Sequence, residues 1–320
     1  MLKLDVKDKK LLYEIDFDAR KTYAELAKKL QMSKRGVEYK LVNLEKRRVI
    51  LGYVPVFDLT KFGYYYFRLF VKFQSLTKSF RKEVKEYVRS DPDIGWVLWA
   101  NDAYDIGIAI WAKSVFDFKR IVNRFYSIFD SHIKERSESV ATEVAFFKNR
   151  FLIDNHSIEQ ISIGEKKEAV DLDVLDKKLL NMLVINPRRS IVDLADSLGE
   201  SPQRTSYRFK RLKSEGILLG IRPILNYSGL GRLYYKLYID LNNAHEVKLK
   251  ELEDFVAKDS RTVYIVKALG TCDFDVEIIM SSPQELFEFI ESVQEKFPGM
   301  IRNYRTLIFG ETVKAKFLPF

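Results

Sequence analysis

In residues 1–48 the apolar positions recur at helical spacing in three short stretches, each introduced by a residue suited to capping. Leu11, Leu12 and Ile15 follow Asp5 and predict a helix over 5–16. Leu26, Ala27 and Leu30 follow Thr22. After a tight turn at Gln31-Met32, Val37, Leu41 and Leu44 stand at i, i+4 and i+7 behind Ser33. The pattern then changes. Val49 to Val56 is rich in β-formers and punctuated by Gly52 and Pro55, which predicts a β hairpin or wing. Three short helices and a wing make the winged helix-turn-helix plan, whose third helix enters a DNA major groove.

The next stretch predicts a strand over 64–74 and a helix over 78–90 with Phe80, Val84, Tyr87 and Val88 inward. Strands over 94–100 and 104–112 meet at the turn Asn101-Asp102-Ala103. A helix over 114–129 carries Phe118, Ile121, Val122, Phe125 and Phe129, and a last strand runs over 133–147. This β-α-β-β-α-β series is the ferredoxin-like plan, an antiparallel four-stranded sheet with both helices on one face. Its other face is rich in Tyr, Phe, Leu and Trp and requires a covering, most simply the sheet of a second such unit. Self-association through sheet faces is therefore expected.

The second unit is in the same chain. Leu4-Asp-Val-Lys-Asp-Lys-Lys-Leu-Leu12 returns as Leu172-Asp-Val-Leu-Asp-Lys-Lys-Leu-Leu180, an offset of 168 that persists ungapped to about residue 73. Matched pairs include Arg20/Arg188, Ser33/Ser201, Tyr39/Tyr207, Gly52/Gly220, Pro55/Pro223 and Gly63/Gly231. Further on, Tyr104-Asp105 aligns with Phe274-Asp275 and Phe151-Leu152 with Phe317-Leu318. In the second copy Ser201 caps the third helix, Pro202 opens it, Thr205, Phe209 and Leu212 face inward, and Gly216 ends it. Strands over 232–241, 262–269, 273–281 and 301–312 alternate with helices over 246–258 and 283–296 as in the first copy. The fold class is α+β, a winged helix-turn-helix followed by a ferredoxin-like βαββαβ domain, repeated twice. The domains expected are 1–60 and 61–153, a polar linker over 154–170 with a short strand at Ile158–Ile163, then 171–228 and 229–320.

Composition narrows the chemistry. A net charge of +9 and a pI near 9.2 favour a polyanionic partner, and residues 1–57 hold about 14 basic against 8 acidic side chains. Cys272 is the one cysteine, which excludes a disulfide framework and a thiolate-rich metal site and marks it as core filler. The three histidines, at 132, 156 and 245, are scattered, so no metal or cofactor is expected. The longest apolar run, Ile106 to Ala112, is far below a membrane span, and the charged N-terminus lacks a signal-peptide core. These features predict a cytoplasmic protein with no membrane partner. Gly-rich phosphate loops and nucleophile–base arrangements are absent from the sequence.

The outward faces of the two third helices carry the candidate DNA contacts. In the first copy they are Lys34, Arg35, Glu38, Tyr39 and Asn43, followed by Lys46, Arg47 and Arg48 at the helix end. In the second they are Gln203, Arg204, Ser206, Tyr207, Lys210 and Arg211. Arg and Lys bind guanine edges or phosphates, Gln and Asn pair with adenine, and Tyr donates to phosphate. Glu38 is discordant, because a carboxylate repels phosphate and helps only opposite a cytosine amine. One charged face opposite an apolar stripe is ordinarily just a solvated helix. Two copies of the same capped-helix series turn the reading toward double-stranded DNA.

This architecture resembles the Lrp/AsnC family of prokaryotic regulators over nearly the whole chain, twice. The resemblance is carried by residues 172–180, Asn186-Pro-Arg-Arg-Ser190, Asp193-Leu-Ala-Asp-Ser-Leu198 and the run Ser201, Thr205, Arg208, Leu212, Gly216-Ile217. The first copy departs with Lys40 where the family has Arg and Arg48 where it has Gly. The resemblance implies pairing through sheet faces and a small amino-acid-like effector near the turn between the second and third strands. The family's Gly-x-x-Asp there is Gly270-Thr-Cys-Asp273, aligned with Ala100-Asn101-Asp102-Ala103. The weak effector set is thus Gly270, Asp273, Asn101 and Asp102, with hairpin turn chemistry as the competing explanation. The expected function is a sequence-specific, non-enzymatic transcriptional regulator acting as an intrachain pseudo-dimer. The alternatives are a sirohaem decarboxylase-like enzyme, which shares the architecture, and a low-specificity architectural DNA-binding protein.

Overall fold

A computed structural model describes residues 2–154, 157–164, 170–242 and 245–320. Three helices open the chain, α1 (Val6–Glu14), α2 (Tyr23–Leu30) and α3 (Lys34–Lys46). Each starts where a side chain satisfies an orphan backbone N–H: Asp5 and Thr22 in capping boxes with Asp8 and Glu25, Ser33 on the Gly36 N–H. Gln31 turns the chain with φ 52°. The counterparts α6 (Val174–Ile185), α7 (Ile191–Leu198) and α8 (Pro202–Ser214) are capped by Asp173, Ser190 and Ser201.

After each trio comes one strand and no hairpin. β1 (Ile50–Phe57) pairs antiparallel with β7 (Leu218–Leu225), Tyr53 opposite Pro223 and Pro55 opposite Ile221. The predicted hairpin is thus a two-stranded sheet built across the copies. Pro55 fits because β1 has β7 as its one neighbour in the sheet, whereas β7 also meets Phe17–Ala19 through a parallel bridge at Ile221, which donates to the Phe17 carbonyl at 3.1 Å and accepts from the Ala19 N–H at 2.9 Å.

The first ferredoxin-like unit is β2 (Tyr65–Phe73), α4 (Lys78–Ser90), β3 (Ile94–Asp102), β4 (Ile106–Ala112), α5 (Val115–Phe129) and β5 (Ile133–Phe147). A short strand β6 (Gln160–Ile163) follows, pairing with the end of β5. The second unit is β8 (Leu233–Leu241), α9 (Glu246–Lys258), β9 (Thr262–Leu269), β10 (Phe274–Met280), α10 (Pro283–Lys296) and β11 (Ile301–Ala315). Within the copies the strand orders are β5-β2-β4-β3 and β11-β8-β10-β9. Between them β3 pairs with β11 and β9 with β5, so eight strands close into a ring and β6 adds outside it.

Strand length makes the closure. β5 and β11 have 15 residues each, against 7 to 9 in the other strands of the ring. The first half of β5 pairs with β2 of its own copy and the second half crosses to β9. β11 does the same with β8 and β3. The faces expected to seek a partner are thereby covered within the chain.

Outward-facing residues of β2–β4 meet Phe80, Val84, Val88, Phe118, Ile121 and Phe125 in one core, and β8–β10 meet α9 and α10 in another. Each fully buried aliphatic side chain in them contributes on the order of 1.5–3 kcal/mol. Two smaller cores lie beneath the helix trios, and each borrows from the other copy: Leu225 joins α1–α3, Phe57 and Leu59 join α6–α8.

The ladder also corrects the internal alignment. β3 continues through Asn101 and Asp102, so the turn lies at 103–105. Asp105 accepts from the Phe73 N–H and Asp273 from the Leu241 N–H, both at 2.8 Å. The offset of 168 therefore holds, and the pairing of Tyr104-Asp105 with Phe274-Asp275 is displaced by two. Gly107, opposite Phe70, corresponds to Asp275, opposite Tyr238. Asp102 corresponds to Gly270, and both have positive φ, 87° and 118°.

Candidate nucleic-acid interface

Ser33 and Ser201 fix the starts of α3 and α8, and Val37, Leu41, Leu44, Thr205 and Leu212 fix the buried faces. Lys34, Arg35, Glu38, Tyr39 and Lys46 are exposed, Tyr39 by 71% of its surface, while Asn43 is half-buried. Gln203, Arg204, Tyr207 and Lys210 are exposed, Tyr207 by 69%, and Ser206 is half-buried. Arg204 reaches Glu200 at 3.6 Å but stays in solvent. These side chains form two outward surfaces of matching layout and different chemistry.

Two expected contacts are engaged elsewhere. Arg47 donates to the Lys3 carbonyl and lies 3.7 Å from Asp8. Arg211 donates to the buried Asp176. They reinforce a staple present in both copies. Lys40 bonds Asp5 and Asp8 at 2.6 and 2.7 Å, and Arg208 bonds Asp173 and Asp176 at 2.6 and 3.0 Å. The cation clamps the third helix onto the capping box of the first, so Lys40 retains the role of the Arg it replaces. The Lys40 hydrogen bond chiefly holds the Asp5 carboxyl below its usual range. At Asp173, burial works the other way, but the Asp176 N–H and Arg208 outweigh it and the carboxyl is also lowered.

The trios are tied to each other by the repeated arginine. Arg20 donates to the carbonyls of Pro187 and Arg189 at 2.9 and 2.5 Å and lies over Phe209. Arg188 donates to Glu45 and the Tyr53 hydroxyl at 3.2 and 3.1 Å and lies over the Tyr53 ring. A buried Asp16–Arg222 pair (2.8 Å) fastens the first trio to β7, with Asp16 also accepting from the Asn149 N–H and side-chain amide. Together these contacts hold the exposed faces of α3 and α8 in one disposition.

The weak effector set does not converge on a pocket. Asn101 and Asp102 are exposed at the end of β3, where Asp102 accepts from the Thr306 hydroxyl. A Cβ at Gly270 would strike the Glu138 carbonyl and come within 3.0 Å of Ser139 Cα, so the crossing of β5 requires glycine there. Asp273 is occupied by the Leu241 N–H. Cys272 is buried, and burial pushes its thiol up to about 12.

Sequence reasoning missed a buried charge cluster between the two sheets. Arg68 donates to Asp275 at 2.5 Å and to Ser139 at 3.0 Å, and Lys236 donates to Asp275 and Glu277 at 2.6 and 2.9 Å. Burial would lower the Lys236 ammonium, but the two carboxylates push it up to about 12. The available signal was a cation at the same repeat position in both apolar strands, Tyr64–Gln74 and Arg232–Leu241. His132 stacks on Phe80 at 4.5 Å, His245 precedes α9, and His156 lies outside the described residues. Among the described residues no group of three or more His, Cys, Asp or Glu is arranged to hold a metal, and no helix is long and apolar enough to cross a membrane.

The AsnC-type helix-turn-helix domain matches residues 172–213, which contain α6, α7 and nearly all of α8. The leucine-responsive regulatory protein of Serratia marcescens is 36% identical over 152 residues, 47% of this chain and 92% of that protein. An uncharacterized HTH-type transcriptional regulator of Pyrococcus furiosus is 28% identical over 125 residues, 39% of this chain and 82% of its own length. Both alignments span less than half of this chain. The crystal structure of the sirohaem decarboxylase NirDL superposes with a TM-score of 0.62 at 13% identity, covering 99% of this chain and 94% of that one. At that identity the likeness concerns the fold.

Proposed function

Because this chain belongs to the Lrp/AsnC family of regulators, we propose that it is a sequence-specific DNA-binding transcriptional regulator acting as a pseudo-dimer within one polypeptide. The observation that carries this reading is the pair of exposed α3 and α8 faces, held rigidly by the Lys40 and Arg208 staples and by Arg20 and Arg188. DNA contact is assigned to Lys34, Arg35, Glu38, Tyr39, Asn43 and Lys46 in the first copy and Gln203, Arg204, Ser206, Tyr207 and Lys210 in the second. Arg47 and Arg211 serve as fasteners instead.

Lys34 and Arg35 stand where the second copy has Pro202 and Gln203, and Glu38 where it has Ser206. Such unlike faces read unlike half-sites, so the preferred duplex is an imperfect palindrome. Selection from a random duplex pool tests this. An asymmetric consensus is expected, whereas a symmetric consensus, or none, overturns it. Replacing Lys34, Arg35, Arg204 and Lys210 together by Ala is expected to weaken specific binding on the order of a hundredfold or more. Unchanged affinity in a gel-shift titration sinks the proposal.

An amino-acid-like effector belongs to the family expectation and is tested by adding single amino acids to the same titration. The NirDL likeness favours one second reading, a sirohaem-processing enzyme. Incubation with sirohaem decides between them. No absorbance shift is expected of the regulator, and a saturable shift with product formation supports the enzyme.

A further inference from the structure

The charge cluster between the sheets is lopsided. Arg68 and Lys236 occupy equivalent positions, each opposite its ladder neighbour, Ala109 for Arg68 and Glu277 for Lys236. Two residues on, Gly107 stands where the second copy has Asp275. The second copy thus supplies two carboxylates and the first copy supplies none. Asp275 serves both cations, and Glu277 accepts from Lys236 and from the Tyr234 hydroxyl. Arg68 is left short. It is only 2% exposed, its Nε and Nη1 are used, and its Nη2 has no acceptor. A buried guanidinium N–H without a partner is costly, so an acceptor from outside the chain is favoured there.

Space for one exists at that place. A cavity of about 20 Å³, room for one or two oxygen-sized groups, is lined by Arg68, Ala109, Gly107, Tyr66, Lys236 and the Lys236-paired Glu277. Trp96 and Phe309, both only partly buried, line it as well, and their rings lie 6.2 Å apart. The cavity lies on the side of Arg68 where the first copy carries Gly and Ala in place of acids. We propose that this cavity is a binding site for the carboxylate of a small apolar or aromatic monocarboxylate, its oxygens taken by Arg68 Nη2 and the Tyr66 hydroxyl and its tail held by Trp96 and Phe309. Glu277 and Asp275 are already compensated by Lys236 and Arg68, and each of their oxygens accepts from an internal donor, so neither is an unpaired charge that would draw in an α-ammonium group. The cavity is built for a simple acid rather than an amino acid. The site does not depend on the DNA-binding reading, and its test involves no DNA.

The probes are phenylacetate, the neutral phenylacetamide and the zwitterion phenylalanine, titrated against the full-length protein. The readouts are indole emission, because Trp96 lines the cavity and Trp111 packs on the Tyr66 ring at 4.8 Å, and the thermal melting temperature. Phenylacetate is expected to change emission saturably, to raise the melting temperature, and to bind roughly tenfold or more tightly than either analogue, as loss of a charge-assisted hydrogen bond requires. No saturable response to phenylacetate, or equal responses to the three probes, overturns the proposal. Ala109→Glu recreates opposite Arg68 the pair that Glu277 forms with Lys236. It is expected to abolish phenylacetate binding while the protein stays folded. A folded Ala109→Glu protein that binds phenylacetate as before overturns it too, and if that variant does not fold, the three-probe comparison on the unaltered protein still decides.

Discussion

Arg48 holds a left-handed conformation, φ 56°, at the end of α3, where its counterpart Gly216 takes φ 69° without a Cβ. That conformation costs a non-glycine residue about 1–2 kcal/mol. The side chain is exposed and only backbone groups are engaged: the N–H donates to the Glu45 carbonyl at 2.9 Å and the carbonyl accepts from the Asn226 amide at 3.0 Å. Under the proposed function, a strained, exposed cation at the end of α3 suits a phosphate contact. Arg48→Gly is therefore expected to raise stability by up to about 1 kcal/mol, the relieved strain being partly offset by the greater freedom of glycine in the unfolded chain. DNA affinity should fall across all sequences, with the salt dependence reduced by about one counterion. Denaturant titration and binding at several salt concentrations check the two halves. Unchanged affinity would remove Arg48 from the interface.

Elements defined by local chemistry were legible in the sequence. Asp5, Thr22, Ser33 and Ser201 are caps whose function is complete within one turn, and the helices start where they stand. The apolar stripe of α5 reads directly as its buried face. What was illegible is pairing at long range. Val49–Val56 shows its strand propensity, but nothing within it shows that its partner lies at 218–225. Nor does the sequence of β5 announce that its second half leaves its own sheet. The exposed faces of α3 and α8 were visible in the sequence, whereas the contacts of Arg47 and Arg211 depend on carboxylates in another helix. Gly270 belongs to the same class, since its necessity comes from the backbone of β5. Gly270→Ala is expected to cost about 1–3 kcal/mol or more, because a Cβ meets both the Glu138 carbonyl and a positive φ. Hydrogen exchange should quicken in β5 and β9 while α3 and α8 keep their protection. A fully stable Gly270→Ala protein would leave the residue free for a ligand role.

At the scale of the molecule, closure of the ring depends on unlike faces meeting. Two first-copy sheets would bring Arg68 against Arg68 with no carboxylate between them, and two second-copy sheets would crowd four carboxylates around two lysines. Only the mixed pairing balances, with Arg68 and Lys236 against Asp275 and Glu277. Buried ion pairs add little net stability over apolar residues, but breaking one by removing a single partner is severe, about 3–5 kcal/mol. Here the two single losses differ. Asp275→Leu leaves Arg68 with only the Ser139 hydroxyl, whereas Arg68→Met leaves Asp275 still bonded to Lys236. Asp275→Leu should thus be the more damaging, near the upper end of that range, and Arg68→Met milder. The double variant is expected to lose less than the sum of the two by at least about 1 kcal/mol, the coupling expected of groups in direct contact. Equilibrium denaturation of the four proteins measures this cycle. Strict additivity would mean that Arg68 and Asp275 do not hold the copies together, and the pairing would then rest on the β-ladders, the Phe70, Tyr104 and Tyr238 rings, and the Asp16–Arg222, Arg20 and Arg188 contacts.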